Sequence, residues 1–344
     1  MPRKNKPELK EGSEALIKSR KFNWFLFIRR YGTALFGVLV FLFFSITADN
    51  FCSWSSMMIM LRSMSMLCIC ALGFTFVMAA GGFDMSLGNA AGLINIIFVY
   101  LLIKSGSLWL SILAAICIGL LVGLTNGLLA GVIGLPDFIA TYAIGTITYG
   151  LKMMISKGNP TTIPVDIGLP QLTFAIGQGK IPLFGGLSIP VPVIIMLVIF
   201  AVVVFILKKT PLGRRIYAIG GNAEASKYSG IDVKKYRVIT FLFSGAFLAI
   251  ASVMLTSRLG SGQPLAGEDF MLDTIAACFL STTMFGEGEP TPEGTFVGVL
   301  IIAMLTTGMT MLGVQYYYQY ITKGVVVILA VLMSVLMSGK AAKA

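Results

Sequence analysis

The sequence predicts an all-α, polytopic membrane protein with about ten transmembrane helices, some of them broken or short. Hydrophobic residues make up 56% of the 344-residue chain and charged residues only 12%, and the mean hydropathy is +0.88. Soluble domains usually contain about 25% charged residues, so most of this chain cannot face water. The apolar residues also fall into long stretches, most of which are of the length needed to cross a bilayer.

The predicted spans follow these stretches in order and make residues 31–337 a single transmembrane domain. The stretch 272–284 is too short to cross a bilayer alone. The ten spans lie near 31–47, 57–80, 88–103, 108–131, 138–155, 191–207, 237–257, 272–284, 295–312 and 319–337.

Basic residues predict the orientation. Nine Lys or Arg residues lie in the N-terminal segment 1–30, eight in the polar stretch 208–237 and two in the tail 338–344. With ten spans these segments share one side, and 19 of the 26 basic residues make that side cytoplasmic. The net charge of +11 therefore reflects the orientation of the chain in the membrane, and binding to nucleic acid is the poorer interpretation of it. The segment 157–190 then forms a long, proline-rich extracytoplasmic loop.

Two breaks interrupt the helical pattern. The chain reads GGFDMSLG at 81–88, and three glycines with an Asp and a Ser will hardly continue a straight helix. Asp84 either caps the following helix or lines a permeation route, and these residues alone leave both open. At the second break, GLPDFIAT (134–141), Pro136 and Asp137 predict the start of the fifth span.

The fourth span carries a stripe of small residues. Glycine recurs at every fourth position, on one helix face, at Gly119, Gly123, Gly127 and Gly131. Such a stripe lets helix backbones approach closely, and direct contact with a substrate is the alternative. Asn126 lies beside it, and a polar side chain at that depth should face another helix or a wet cavity.

Absent residues narrow the chemistry. The chain contains no histidine, which excludes Ser-His-Asp triads and His-ligated metals, and it has no G-x-x-x-x-G-K-[ST] phosphate-binding loop. Cys68 and Cys70 point to different faces of a predicted helix and make no metal pair. The sequence therefore predicts neither an enzyme nor a metal site.

Few ionisable residues fall within the spans, mainly Arg62, Lys152, Asp273 and Lys323. This favours a neutral solute moved by external energy, because an ion-coupled carrier normally needs intramembrane acids. Asp84 and Asp273 could supply a minimal set, so an ion-coupled secondary carrier for a small polar solute stays an alternative. A scaffold or receptor that transports nothing is another.

Five segments, in order from about residue 60 to the C-terminus, resemble the permease subunits of bacterial monosaccharide ABC importers, which serve ribose, xylose, arabinose and galactose. Each motif alone is weak, and the five in sequence are highly specific. They are GGFDMSLG (81–88), PDFIATYAIGTITYGL (136–151), TPLGRRIYAIGGNAEASKYSGIDV (210–233), SRLGSGQPLAGEDFMLDTIAA (257–277) and MLGVQYYYQYITKGVVVILAV (311–331).

The resemblance implies a multi-pass protein of the bacterial cytoplasmic (inner) membrane whose pore is built from two permease chains, the same or homologous. An extracytoplasmic binding protein delivers the sugar, and separate cytoplasmic ATPase subunits drive transport. ATP and Mg are held by those ATPases, and this chain binds no cofactor. Polar groups that could line the sugar route are Asp84, Asn126, Thr141, Ser261 and Gln263.

In such importers a short helix of a cytoplasmic loop docks into a cleft on the ATPase. The candidate here is the segment 222–230, with Asn222 as a possible N-cap and Gly230 as a stop. A merely solvated loop is the alternative. The segment comprises Asn222, Ala223, Glu224, Ala225, Ser226, Lys227, Tyr228, Ser229 and Gly230.

One stretch departs from the pattern. Where many members of the family read LGGTSLxGGxGxxxGT, this chain reads LSTTMFGEGEPTPEGT (280–295), with Ser281 and Thr282 in place of glycines. This change weakens the prediction of which ATPase is the partner, and of how the inner gate closes, more than it weakens the resemblance to the family. The sequence leaves two interpretations of these acids open. Glu287 or Glu289 pairs with a basic residue of 208–237, or the stretch is a solvated acidic loop.

Overall fold

The structure, a computed structural model, describes residues 24–164, 172–182, 187–284 and 288–341. Four sequence predictions fall wholly or partly outside the described residues. These are most of the basic segment 1–30, two parts of the loop 157–190 (165–171 and 183–186), Glu287, and the end of the tail 338–344.

Within the described ranges the chain is built from α-helices, with four short strands beside them. The helices are α1 (Trp24–Thr47), α2 (Trp54–Ala79), α3 (Leu87–Ser105), α4 (Leu108–Gly127), α5 (Asp137–Ser156), α6 (Leu172–Gln178), α7 (Val191–Lys209), α8 (Pro211–Gly221), α9 (Ala223–Tyr228), α10 (Val233–Leu259), α11 (Asp269–Thr283), α12 (Pro292–Met311) and α13 (Tyr316–Ala341). The strands are β1 (Thr161–Thr162), β2 (Lys180–Pro182), β3 (Ser188–Pro190) and β4 (Ser261–Gly262).

Each of the ten apolar stretches coincides with one helix, so the fold is that of a helical, multi-pass membrane protein. Among the described residues, seven helices are long and apolar enough to span a bilayer: α2, α3, α4 with its continuation to Ile133, α5, α7, α10 and α12. Helix α11, over the stretch 272–284, has only 15 residues. Ten spans and cytoplasmic termini remain predictions.

The polar stretch 208–237 is more helical than the sequence predicted. Instead of a loop with one short helix, it contains the end of α7, all of α8 and α9, and the start of α10. Thr210 caps α8 by accepting a hydrogen bond from the Gly213 amide (3.4 Å), and Pro211 fits its first turn. Ile216 and Ile219 are buried on one face of α8, so this helix lies against the bundle.

Helix α10 lies at the centre of the bundle and packs on α2, α3 and α4. Phe243 stacks on Phe76 of α2 with ring centroids 4.5 Å apart, and Phe247 packs beside both rings. Gly73 of α2 leaves the room for Phe247, because a Cβ there would lie 2.9 Å from the Cβ of Phe247. The core of the molecule is therefore the interface around α10.

The glycine stripe of α4 faces α10. A Cβ at Gly119 would collide with the Gly245 carbonyl oxygen, and one at Gly123 with the Phe241 carbonyl oxygen. The stripe's other two glycines, Gly127 and Gly131, lie against Val238 and Arg237. The two backbones thus touch with no side-chain layer between them. After Gly127 the helix widens into one π-helical segment, Leu128–Ile133, which ends at Gly134 with a φ of +87°.

The proline-rich segment 157–190 includes α6 and two strand pairings. β1 pairs with β4 in antiparallel fashion, so Thr161 lies opposite Gly262 and Thr162 opposite Ser261. β2 and β3 form a small antiparallel hairpin. Gly177 of α6 packs against the backbone at Arg258, which fixes α6 on the end of α10.

Candidate functional site

The GGFDMSLG break is an extended segment that lies inside the helical bundle. Asp84, only 2% exposed, accepts hydrogen bonds at Oδ1 from the Ser86 amide (2.9 Å) and the Ser86 hydroxyl (2.6 Å). Its Oδ2 accepts one from Ser244 (3.2 Å), which lies eleven residues into α10, or about 16 Å along that helix. Asp84 therefore ties the residue before α3 to α10, and its side chain is buried. Within the described chain no side-chain hydrogen bond caps the first turn of α3.

Asn126 of α4 completes this cluster. Its Nδ2 donates to the Ser86 hydroxyl at 2.8 Å and to Asp84 Oδ1 at 3.4 Å. Its own Oδ1 is buried and has no hydrogen-bond partner in the part of the chain that the structure describes. The start of α3 is thus tied to α4 and α10 through one carboxylate.

The amides of the break are satisfied by the start of α5. Phe83 N donates to Asp137 Oδ2 (3.0 Å), and Met85 N donates to Thr141 Oγ1 (2.9 Å). Arg237 of α10 binds Asp137, with Nη2 2.6 Å from each carboxylate oxygen. Non-helical backbone at membrane depth needs such partners, because lipid supplies none. We call residues 83–86 with Asp137 and Thr141 the clamped break.

The five residues that the sequence proposed for a solute route fall into two groups. Asp84, Asn126 and Thr141 meet at the clamped break. Ser261 and Gln263 lie apart from them, in the segment after α10, where Gln263 donates to Ser261 Oγ at 3.2 Å. This segment runs along α3, where a Cβ at Gly92 would collide with the Pro264 carbonyl oxygen.

A cavity of about 500 Å³ lies between α2, α11, α12 and α13, beside the end of α10. We call it the polar cavity. Four charged side chains line it, Arg258, Asp269, Asp273 and Lys323. It is also lined by hydroxyl groups and apolar side chains, which include Ser56, Ser63, Thr306, Thr307, Thr310, Met64, Phe270 and Ile302.

A buried ion pair lies at the wall of the polar cavity. Lys323 Nζ donates to Asp273 Oδ2 at 2.8 Å, and the two residues are 7% and 8% exposed. Asp273 Oδ1 has no hydrogen-bond partner among the described residues. A second ion pair, Lys152 with Glu268 at 2.8 Å, lies outside the cavity, and Lys152 also donates to Asn89.

The sequence had singled out these ionisable residues without pairing them. The sequence did contain a signal for the pair: Asp273 and Lys323 carry opposite charges in separate apolar spans, and an ionised side chain inside a membrane is usually paired. Four contributors to the clamped break were not predicted as site residues: Ser86, Asp137, Arg237 and Ser244. The described residues hold no group of three His, Cys, Asp or Glu side chains that could bind a metal.

The segment 222–230, which the resemblance predicts to dock on an ATPase, is an exposed corner of the molecule. Asn222 Oδ1 accepts the Ala225 amide hydrogen at 2.9 Å and caps α9, and Gly230 follows with a φ of +81°. Of this segment only Ser226 is buried, and the Tyr228 side chain is 83% exposed. The local structure matches the predicted cap, short helix and stop.

The divergent stretch 280–295 closes the turn between α11 and α12. Ser281 Oγ donates to the Thr291 carbonyl and accepts from the Thr291 amide, each at 2.9 Å. The stretch contains the acids Glu287, Glu289 and Glu293, and Glu293 pairs with Lys208 at 2.7 Å. Tyr217 of α8 donates to the Pro290 carbonyl at 2.9 Å. A link between this turn and the 208–237 stretch therefore exists through Glu293.

A family model described as the permease component of a branched-chain amino acid transport system matches residues 56–331. The chain belongs to this permease family. Together with the relatives named next, this match confirms the resemblance noted from the motifs: the permease is a transport subunit and not an enzyme, and it is a multi-pass protein of the inner membrane.

Several relatives of this permease carry sugar names. It is 37% identical to the ribose import permease protein RbsC of Haemophilus influenzae over 84% of this chain and 87% of that one. It is 31% identical to the D-allose transport system permease protein AlsC of Escherichia coli over 95% and 97%. A probable ABC transporter permease protein, YphD of Escherichia coli, is 32% identical over 92% of each chain. No solved structure matches this permease.

Proposed function

We propose that this chain forms the translocation pore of an ABC importer for a neutral monosaccharide. An extracytoplasmic binding protein delivers the sugar, and ATPase subunits that bind ATP and Mg dock at the segment 222–230. A second permease chain, identical or homologous, completes the pore.

The observation that carries the proposal is the set of relatives. The ribose, allose and xylose permeases are 31–37% identical to this chain over 84–95% of its length. The description of the family mentions branched-chain amino acids, but these individual relatives are named for sugars. The polar cavity supports the same class of solute, because its lining joins hydroxyl groups with apolar surface.

The exposed corner at α9 supports a docking site for the ATPase. Tyr228 offers a large aromatic side chain that is 83% exposed, and aromatic residues at the centre of an interface often dominate its binding energy. Glu224 and Lys227 lie on the same short helix and are exposed. These side chains give a partner both an anchor and charges that set its orientation.

Helix α8 connects this corner with the interior. Gly220 packs so closely on the end of α2 that a Cβ would collide with the Ala79 carbonyl oxygen. On the same helix Tyr217 holds the Pro290 carbonyl, which precedes α12. A displacement of α9 would therefore reach both α2 and the α11–α12 turn.

Transport then follows an alternating-access cycle. ATP binding closes the ATPase pair and moves the docked α9 helices, and the pore tips from inward-facing to outward-facing. The binding protein releases its sugar into the open pore, and ATP hydrolysis resets the state. Coupling requires that the ATPase contacts the two pore conformations differently.

The coupling proposal is tested with surface variants, which leave the fold intact. In proteoliposomes that contain the whole transporter, Tyr228→Ala and Glu224→Arg should lower ATPase co-purification and ATP-driven uptake at least tenfold. Tyr316→Ala is the matched control, because Tyr316 is 70% exposed on another helix, at the start of α13. Full uptake by both α9 variants would show that the ATPase docks elsewhere.

The substrate class is tested with the unaltered transporter. D-ribose, D-allose and D-xylose should be taken up with ATP and binding protein, and L-leucine should not. Dissipating proton and sodium gradients should leave uptake unchanged, whereas an ion-coupled carrier would stop. Uptake of leucine alone would overturn the sugar assignment.

A further inference from the structure

We propose that the carboxylate of Asp273, held by Lys323, is the principal hydroxyl-binding group of the polar cavity, which takes a neutral polyhydroxylated solute. The inference rests on the proposed function, since it assigns a binding position to the sugar. Both residues lie in motifs shared with the family, Asp273 in 257–277 and Lys323 in 311–331, but neither the motifs nor the names of the relatives assign them a role.

The size of the cavity fits a small molecule. Small-molecule sites in proteins usually measure about 300–1,000 Å³, and the polar cavity measures about 500 Å³. It is lined by the outer halves of α2 and α12 and by the starts of α11 and α13, in the predicted topology. A solute released on the extracytoplasmic side would therefore meet this cavity first.

The charges of the lining cancel. Arg258 and Lys323 carry positive charge, and Asp269 and Asp273 carry negative charge. Two of the four are joined in the ion pair between Lys323 and Asp273. A lining without net charge gives no general preference for an anion or a cation, so a neutral polar solute suits it better.

Hydroxyl groups of the lining are oriented to accept hydrogen bonds. Ser63 donates its hydroxyl hydrogen to the Ile59 carbonyl (3.0 Å), and Thr310 donates its own to the Thr306 carbonyl (2.7 Å). The Thr310 oxygen already accepts from Gln319 Nε2 (3.3 Å), and each hydroxyl oxygen keeps a lone pair as an acceptor. A sugar presents a hydroxyl donor on nearly every carbon, which complements these acceptors, and its C–H groups can pack on the apolar part of the lining.

Two carboxylates line this wall: Asp269 already accepts from Tyr320 (2.7 Å), and Asp273 keeps one oxygen without a partner among the described residues. Lys323 binds Oδ2, which leaves Oδ1 as a buried carboxylate oxygen with no partner in the described chain. A buried acceptor without a partner is costly, so a ligand hydroxyl that binds there gains more than it would at the surface. The ammonium group of Lys323 has two further hydrogens, which can donate to the ring oxygen or to a neighbouring hydroxyl.

The test compares sugar binding by the purified wild-type permease with that of variants, using saturation-transfer NMR with D-ribose as the probe. The double variant Asp273→Asn with Lys323→Gln keeps the size of both side chains and removes both charges. We expect its Kd for ribose to rise about five- to tenfold, because a charge-assisted hydrogen bond becomes a neutral one. The matched control is Lys152→Gln with Glu268→Gln, which neutralises the other ion pair and should leave the Kd unchanged.

The single variant Asp273→Glu covers the case in which the neutral pair does not fold. It keeps the ion pair with Lys323 and moves the carboxylate by one methylene, so ribose binding should again weaken severalfold. An unchanged Kd in a folded Asp273 variant would overturn the inference and show that the pair is only structural. Ribose uptake by the unaltered transporter would still support the proposed function in that case. Binding of L-leucine and of no sugar would overturn both.

Discussion

Arg237 binds both carboxylate oxygens of Asp137 at 2.6 Å across 100 residues of sequence. The same carboxylate accepts the amide hydrogen of Phe83, so one side chain joins the start of α5, the start of α10 and the extended break. The pair is partly buried, with the side chains 24% and 13% exposed. It holds the clamped break in place at the start of α5.

Replacing Arg237 by Ala should destabilise the permease by about 1–3 kcal/mol, because it leaves a partly buried carboxylate without its counter-charge. Thermal unfolding in detergent at neutral pH measures the effect. Lys208→Gln is the control: its partner Glu293 is more exposed, and such a pair contributes at most about 1 kcal/mol. Equal effects of the two changes would contradict the clamp.

Replacing Asp84 by Asn should cost more than replacing Ser244 by Ala. Asp84 accepts hydrogen bonds from Ser86, Ser244 and Asn126, and an amide group would place a donor among these donors. We expect a loss of about 2–3 kcal/mol for Asp84→Asn and about 1 kcal/mol for Ser244→Ala. Chemical unfolding of both variants in the same micelles gives the comparison, and a harmless Asp84→Asn would show that this carboxylate does not hold the cluster together.

Replacing Gly123 by Ala should weaken the contact between α4 and α10, since its Cβ would collide with the backbone at Phe241. Overpacking of this kind typically costs about 1–3 kcal/mol. Gly150→Ala is the matched control, because a Cβ there has nothing within 4 Å. The yield of monodisperse protein and its unfolding temperature should fall only for Gly123→Ala.

Replacing Tyr217 by Phe should reduce coupling more than stability. The change removes the hydrogen bond to the Pro290 carbonyl, worth about 1 kcal/mol, and leaves the ring in place. We expect less sugar carried per ATP hydrolysed by the reconstituted transporter. Tyr318→Phe, at the start of α13, serves as the control. An unchanged ratio of sugar carried to ATP hydrolysed for Tyr217→Phe would show that α8 does not take part in coupling.

Sequence reasoning located the helices because apolar stretches and breaks are local signals. The Gly81–Gly82 break, the start near Pro136 and the cap at Asn222 all depend on a few adjacent residues. Helix α8 was missed because its apolar face consists of only a few residues within a basic stretch, and averaging over about 19 residues hides it.

The polar cavity and the clamped break could not be predicted in this way. Asp273 and Lys323 are 50 residues apart, and Asp137 and Arg237 are 100 apart, so only the packed helices bring them together. The glycine stripe showed that α4 approaches another helix closely, but it did not identify α10 as the partner. Pairing of distant segments is set by the whole bundle, which a single sequence without relatives does not display.

The backbone contact between α4 and α10 has a practical consequence for spectroscopy. Two helices that touch through Gly119 and Gly245 have no side-chain layer on which to slide, so spin labels placed on their lipid-facing sides should report one constant distance throughout the cycle. The helix pair α4 and α10 therefore serves as a fixed reference for distance measurements. Distances measured from it to labels on α9, α11 and α13 would separate the moving parts of the transporter from its fixed frame.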